Sequence, residues 1–256
     1  MNQTSSSLAL NGSRLVRFLS DLNVSDVAVS HKHFIEKLGR FINITDSITL
    51  AHVLSRPVAR AFEPDETAGE TLKQTFVQAR SAMVQTIAES FASAEGGARI
   101  RLPMLSVEKL ADAKTAYEPY HRFYAAHQRE FEQKVAGLHT RIRDQAAGLS
   151  PQLAQLAELD RVLGNTLSGN FRKFYAVTPR LLGKRFECLL GDYLPTAPSG
   201  DGYAEWIQPG GWLARFFREM NGVLLAELEV RLLPVLGLLE AVDEQFPGSV
   251  QAMTAE

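Results

Sequence analysis

A Glu-x-x-His pair projecting from a helix is half of the ligand set of a di-iron bundle, and Glu118-Pro119-Tyr120-His121 has that form. The complete centre needs a second such pair and two further glutamates. None of His31, His33, His52, His127 and His139 has a glutamate three residues before it, so no metal centre is expected. Glu118 is more economically read as an acid in the first turn of a helix that starts at Pro119. His31-Lys32-His33 sets two imidazoles two residues apart, on different faces of a helix, and reads as exposed polar surface. Glu130 and Glu132 share that spacing and cannot act as an acid and base pair from one face. His127 falls on an apolar seam, where a hydrogen-bonded core or interface histidine is expected. Cys188, among Phe186, Leu189 and Leu190, is expected to be a buried small hydrophobe and not a nucleophile. Gly183-Lys184-Arg185 lacks the upstream glycine and the hydroxyl of a phosphate-binding loop, and neither Gly-x-Ser-x-Gly nor a strand-borne Gly-x-Gly-x-x-Gly occurs. No catalytic residue and no cofactor is therefore assigned.

Charge supplies the remaining chemical signal. Residues 149–190 carry six basic side chains against three acidic ones, whereas residues 191–256 carry three against ten. Arg172, Lys173, Arg180, Lys184 and Arg185 form a candidate basic patch. Phe171-Arg172-Lys173-Phe174-Tyr175 interleaves aromatics with cations, as a nucleic-acid surface does. The competing reading, which we favour, makes the aromatics core and the cations either a solvated face or partners of the acidic C-terminal region.

The elements that must carry these residues have helical period almost throughout and hardly any strand-like alternation. Ser13 precedes a short helix ending near Asn23, and two more short helices are expected around His31–Ile42 and Asp46–Ser55. Glu63-Pro64-Asp65-Glu66 reads as the start of a helix bearing Leu72, Phe76, Ala79, Met83, Ile87 and Phe91, which runs out at Gly96-Gly97. Tyr117, Tyr120, Tyr124, His127 and Phe131 step by three and four, and Val135, Leu138 and Ile142 continue after one phase slip. This heptad-like seam predicts a helix from Pro119 to about Ala147, too short to force a free coiled coil and suited to an antiparallel bundle. Ser150-Pro151 and Thr178-Pro179 each read as a cap followed by proline at the first helical position. A last long helix begins after Pro209-Gly210-Gly211, and Pro234 is expected to kink or split it.

The predicted class is all-α, a multi-helix bundle with two or more long antiparallel helices and no significant sheet. Three regions are expected within one domain: short helices over 1–62, the central bundle over 63–194, and a loop plus long helix over 195–256. With 256 residues, 45% hydrophobic and 22% charged, the composition is that of ordinary globular chains. A formal net charge of −2 does not suggest a protein dedicated to coating DNA or membranes. The most apolar stretch, Val223–Val242, is interrupted by Glu227, Glu229, Arg231 and Glu240, so it is no membrane span. One cysteine fits a reducing compartment, and residues 1–13 lack the pattern of a secretory leader, so a cytoplasmic protein is expected.

Four stretches carry a family resemblance: Arg14-Leu15-Val16-Arg17-Phe18-Leu19-Ser20-Asp21-Leu22, Pro119-Tyr120-His121-Arg122-Phe123-Tyr124 through Gln128-Arg129, Ser150-Pro151-Gln152-Leu153-Ala154-Gln155-Leu156-Ala157-Glu158-Leu159-Asp160, and Leu224-Leu225-Ala226-Glu227-Leu228. Together they resemble a proteobacterial all-helical family of unknown function and of this length. The matching motifs are helix-packing patterns and bring no catalytic or binding residue with them. Genes of that family neighbour membrane proteins similar to ion-driven motor or energy-transducing subunits, which implies a cytosolic accessory of an envelope machine. The expected function is thus a non-catalytic helical interaction protein, with a protein partner or a second copy of itself and without membrane insertion. Tyr117, Tyr124, Phe131 and Leu138 are the candidate interaction seam, unless they fill the monomer core; binding of nucleic acid through the basic patch is the alternative.

Overall fold

The structure is a computed structural model that describes residues 44–55, 61–92, 99–198 and 202–247, together with Leu15. Among them there is no strand. The helices are α1 (Ile44–Ser55), α2 (Ala68–Phe91), α3 (Ala113–Leu149), α4 (Pro151–Tyr175), α5 (Val177–Tyr193), the single turn α6 (Tyr203–Trp206) and α7 (Trp212–Gln245). Short 3-10 turns occupy Val107–Ala111 and Leu194–Thr196. The helices expected around Ser13–Asn23 and His31–Ile42 lie outside the described residues, apart from a buried, helical Leu15. His31 and His33 lie outside them too.

α3 is the central helix. Its pairs with α2 (His127 with Ser90, Phe123 with Phe91) and with α4 (Glu132 with Arg172, Arg143 with Asp160) run in opposite chain order, so it is antiparallel to both. α2 is likewise antiparallel to α7, through Lys73–Asp243 and Arg80–Glu229. The two longest helices, α3 and α7, consequently run parallel, with Tyr124 beside Glu227 and Ser150 beside Gln245. Antiparallel neighbours follow from short connections, whereas a parallel pair needs intervening elements to carry the chain back.

The spacing located the apolar faces correctly. Leu72, Phe76, Met83 and Ile87 on α2 and the whole seam from Tyr117 to Ile142 on α3 are buried in one continuous core. Ser150 caps α4 as expected, its Oγ accepting from Leu153 N at 3.1 Å with Pro151 at the first helical position.

Pro64, Pro119 and Pro179 depart from their sequence readings, and at Pro234 the last helix is not split. α2 begins four residues after Pro64, because Asp65 Oδ1 accepts from Thr67 N at 2.8 Å and Glu63 N donates to Gly148 O, making a turn where a first helical turn was expected. α3 begins six residues before Pro119. The Asp112 carboxylate accepts from Lys114 N and Thr115 N and caps the helix there, so proline interrupts only its opening turns. Pro179 occupies the third residue of α5, not the first, and α7 passes Pro234 unbroken. In α7, buried Leu224, Leu228 and Leu232 before Pro234 and Val235, Leu238 and Val242 after it hold one face on the core. Burial of those six side chains, each contributing about 1.5–3 kcal/mol, outweighs the roughly 3 kcal/mol that an interior proline costs.

Candidate interaction surface

The candidate interaction seam is the core of the monomer. Tyr124 is fully buried, and Tyr117, Phe131 and Leu138 are at most 9% exposed, packed against α2, α4, α5 and α7. An apolar stripe of this width on a central helix is satisfied by its own chain.

Exposed apolar side chains gather where α4 meets α5. Pro179 has no N–H for the carbonyl four residues earlier, that of Tyr175, and its ring would clash with it in a straight helix. The chain bends at Ala176, and Gln128 Nε2 on α3 donates to the freed Tyr175 oxygen at 3.0 Å. Beyond Ala176, α5 packs on the first turns of α3. Pro179 O accepts from Tyr117 OH at 2.5 Å, Gly183 lies against the Tyr117 ring, and Phe186 packs on both Tyr117 and Tyr120.

Behind this elbow lies a buried polar cluster that the sequence reading missed. Glu227 on α7 is fully buried, yet its carboxylate accepts from Tyr124 OH at 2.7 Å, Gln128 Nε2 at 3.0 Å, and Arg231 Nε and Nη2 at 2.9 and 2.7 Å. The Arg231 guanidinium sits 3.7 Å from the centre of the Tyr175 ring. Burial, reinforced by the adjacent Glu227 carboxylate, holds the Tyr124 hydroxyl far above the ordinary phenol range. Burial likewise lifts Tyr175 to about 12, against the pull of Arg231. The i,i+4 spacing of Glu227 and Arg231 beside Leu224 and Leu228 was the available signal.

On its outer side the elbow exposes Phe171, Phe174 and Val177, at 40%, 43% and 41%. Phe171 stacks on Tyr175 with ring centres 6.4 Å apart, and Phe174 meets the same ring edge-on at 5.4 Å. The predicted basic patch divides around them. Lys173, Arg180 and Lys184 are exposed and have no carboxylate partner among the described residues. Arg172 is exposed but holds Glu132, with Nη2 to Oε1 at 2.9 Å. Arg185 must be removed from the patch: it is buried and pairs through two 2.8 Å bonds with Glu219 of α7, joining the basic segment to the acidic C-terminal region. Cys188 corrects a second expectation. It is exposed, because the apolar neighbours that suggested burial turn inward from the opposite face of α5.

The catalytic candidates are occupied with structural work. Glu118 Oε1 holds Arg122 Nε at 2.9 Å, and no cluster of three or more metal-ligating side chains occurs among the described residues. His127 Nε2 lies 2.9 Å from Ser90 Oγ, superficially a base and nucleophile. The Ser90 hydroxyl, however, donates to Ile87 O at 2.7 Å, and both side chains are buried, so the pair ties α3 to α2. An open groove of about 610 Å³ between Glu63–Asp65 and the end of α3 is lined by Thr71, Leu72, Gln145 and Leu149. Among the described residues no helix is long and apolar enough to cross a membrane.

A family model described as a protein of unknown function, DUF3348, matches residues 1–244. No curated protein and no solved structure matches the chain.

Proposed function

We propose, from the premise that the chain belongs to the DUF3348 family of unknown function, that it is a non-catalytic helical interaction protein which binds a protein partner through the α4–α5 elbow. The observation that carries this reading is the exposure of Phe171, Phe174 and Val177 within seven residues, on a segment whose backbone is pinned from behind by Gln128 and Tyr117. Apolar side chains presented from a fixed backbone lose little freedom when covered, which is the condition for affinity from a small surface. The same reading places the protein in the cytoplasm, as an accessory of an envelope machine. The near-neutral charge and the lone cysteine are consistent with that placement.

Binding of nucleic acid draws less support from the same residues. With Arg185 internal and Arg172 engaged by Glu132, three cations of the elbow remain without a carboxylate partner among the described residues, against the roughly six to ten phosphate contacts of a salt-sensitive DNA binder.

The test is capture of a tagged copy from nuclease-treated, detergent-solubilised lysate of its own source cell, beside the F171S/F174S variant. Both side chains are half exposed, so the variant keeps the helical circular dichroism of the parent. Proteins retained in stable proportion by the parent and lost by the variant are expected. Identical retention by the two would remove the elbow as the binding surface.

A further inference from the structure

We infer that the occupant of the elbow is an acidic amphipathic helix of a different protein, its apolar side chains covering Phe171, Phe174 and Val177 and its carboxylates meeting Lys173, Arg180 and Lys184. The inference rests on the interaction reading above and deepens it by assigning the chemistry of the partner.

Charge complementarity is the first argument. Within residues 172–185 the chain supplies carboxylates for two of five cations, Glu132 for Arg172 and Glu219 for Arg185, and leaves the other three without one among the described residues. Those three lie on the same α4–α5 segment as the exposed aromatics. An exposed apolar segment that also carries cations without carboxylate partners among the described residues favours a partner whose apolar stripe is flanked by acids, and it discriminates against basic stripes of equal hydrophobicity.

Spacing is the second. Lys173, Val177, Arg180 and Lys184 follow one another at steps of four, three and four, and all are exposed. Val177, Arg180 and Lys184 thereby share one face of α5, a strip along which a partner helix can lie, and Lys173 stands across Ala176 at the end of α4.

A second copy of the chain is the wrong occupant. A two-fold contact through this face would set Lys173, Arg180 and Lys184 of one protomer against the same residues of the other. Nucleic acid fits poorly because only three cations without a carboxylate partner among the described residues remain here to meet phosphates.

The experiment is site-specific photocross-linking in the source cell, with p-benzoylphenylalanine replacing Phe174 in the full chain, and replacing Val77 on the exposed side of α2 as the control. Cross-linked segments are mapped by mass spectrometry, and the measurement is repeated in the K173E/R180E/K184E background. The inference expects a protein segment with at least two carboxylates within about two helical turns of the cross-link. It also expects no such product from position 77, and a yield reduced about tenfold or more by the charge reversal. A segment without acids, a second copy of the chain, or a yield unaffected by charge reversal overturns the acidic-helix assignment while leaving the elbow as an interaction surface. Cross-linking to nuclease-sensitive material, or no product beyond the Val77 control, overturns both.

Discussion

Replacing Glu227 with glutamine tests whether the buried cluster holds α3, α4 and α7 together. The substitution conserves shape and removes one charge, so its effect is set by hydrogen bonding. Every group around the carboxylate is a donor: Arg231 on Oε1, Tyr124 on Oε2, and Gln128 on both. A glutamine oxygen placed toward Arg231 turns its NH₂ toward Tyr124 and Gln128. Tyr124 can then accept only by orphaning its own proton, and Gln128 can present its oxygen only by releasing Tyr175 O. The reverse orientation sets NH₂ against the guanidinium, which has no acceptor. Removing one partner of a buried ion pair costs about 3–5 kcal/mol, and Arg231, 13% exposed, recovers part of that by reaching water. We expect a loss of about 3 kcal/mol, or about 6–12 °C in Tm for a chain of this size. Tyr124→Phe, which deletes one donor and leaves the rest, should cost about 1.5 kcal/mol, and the two effects should be coupled by about 1 kcal/mol in the double variant. The assay is urea unfolding followed by circular dichroism at 222 nm, with fluorescence of Trp206 and Trp212 as the second probe. A Glu227→Gln protein within 1 kcal/mol of the parent would refute the donor-ring argument.

What was legible in the sequence was whatever depends on one helix at a time. The steps of three and four through Tyr117, Tyr124, Phe131 and Leu138 identified a buried stripe, and Ser150-Pro151 identified a helix start, because each is decided by neighbours within one or two turns. Pro119 misled because a proline records only that its own N–H is not needed; the start of α3 was set by Asp112, whose spacing to Thr115 went unread. The basic patch failed as a unit for a different reason. Arg172 and Lys173 are adjacent, as are Lys184 and Arg185, yet one of each pair is matched by a carboxylate 34 or 40 residues away. The Glu227 cluster joins residues 99 and 103 apart and was visible only as acids interrupting an apolar run. That observation excluded a membrane span and went no further, because burial of Glu227 is decided by α3 and α4.

The remaining predictions concern close packing and protonation. Gly183→Ala would place a methyl 2.9 Å from the Tyr117 ring, which cannot move while its hydroxyl holds Pro179 O. Overpacking of about 1–3 kcal/mol outweighs the roughly 1 kcal/mol gain in helix propensity, so thermal denaturation should show a net loss, and a gain would mean that the ring is free. Gly211→Ala would bring a methyl to 2.2 Å from the backbone oxygen of Trp206, and the turn leading into α7 should lose about 3 kcal/mol by urea unfolding; an unchanged midpoint would mean the turn is looser than this contact requires. His127 makes the protein acid-sensitive above the carboxylate range. Burial pushes its imidazole down from 6.5 to about 4, with Glu130 opposing and Lys134 assisting. The unfolded chain therefore takes up a proton below pH 6.5 that the folded chain refuses until about pH 4. The associated stability is complete above pH 6.5 and is lost progressively on acidification to pH 4, by roughly 3 kcal/mol over that window. His127→Gln, although destabilised at pH 7, should show a shallower decline across the same window. Parallel stability profiles for parent and variant between pH 6.5 and 4 would show that the folded protein accepts the proton without penalty.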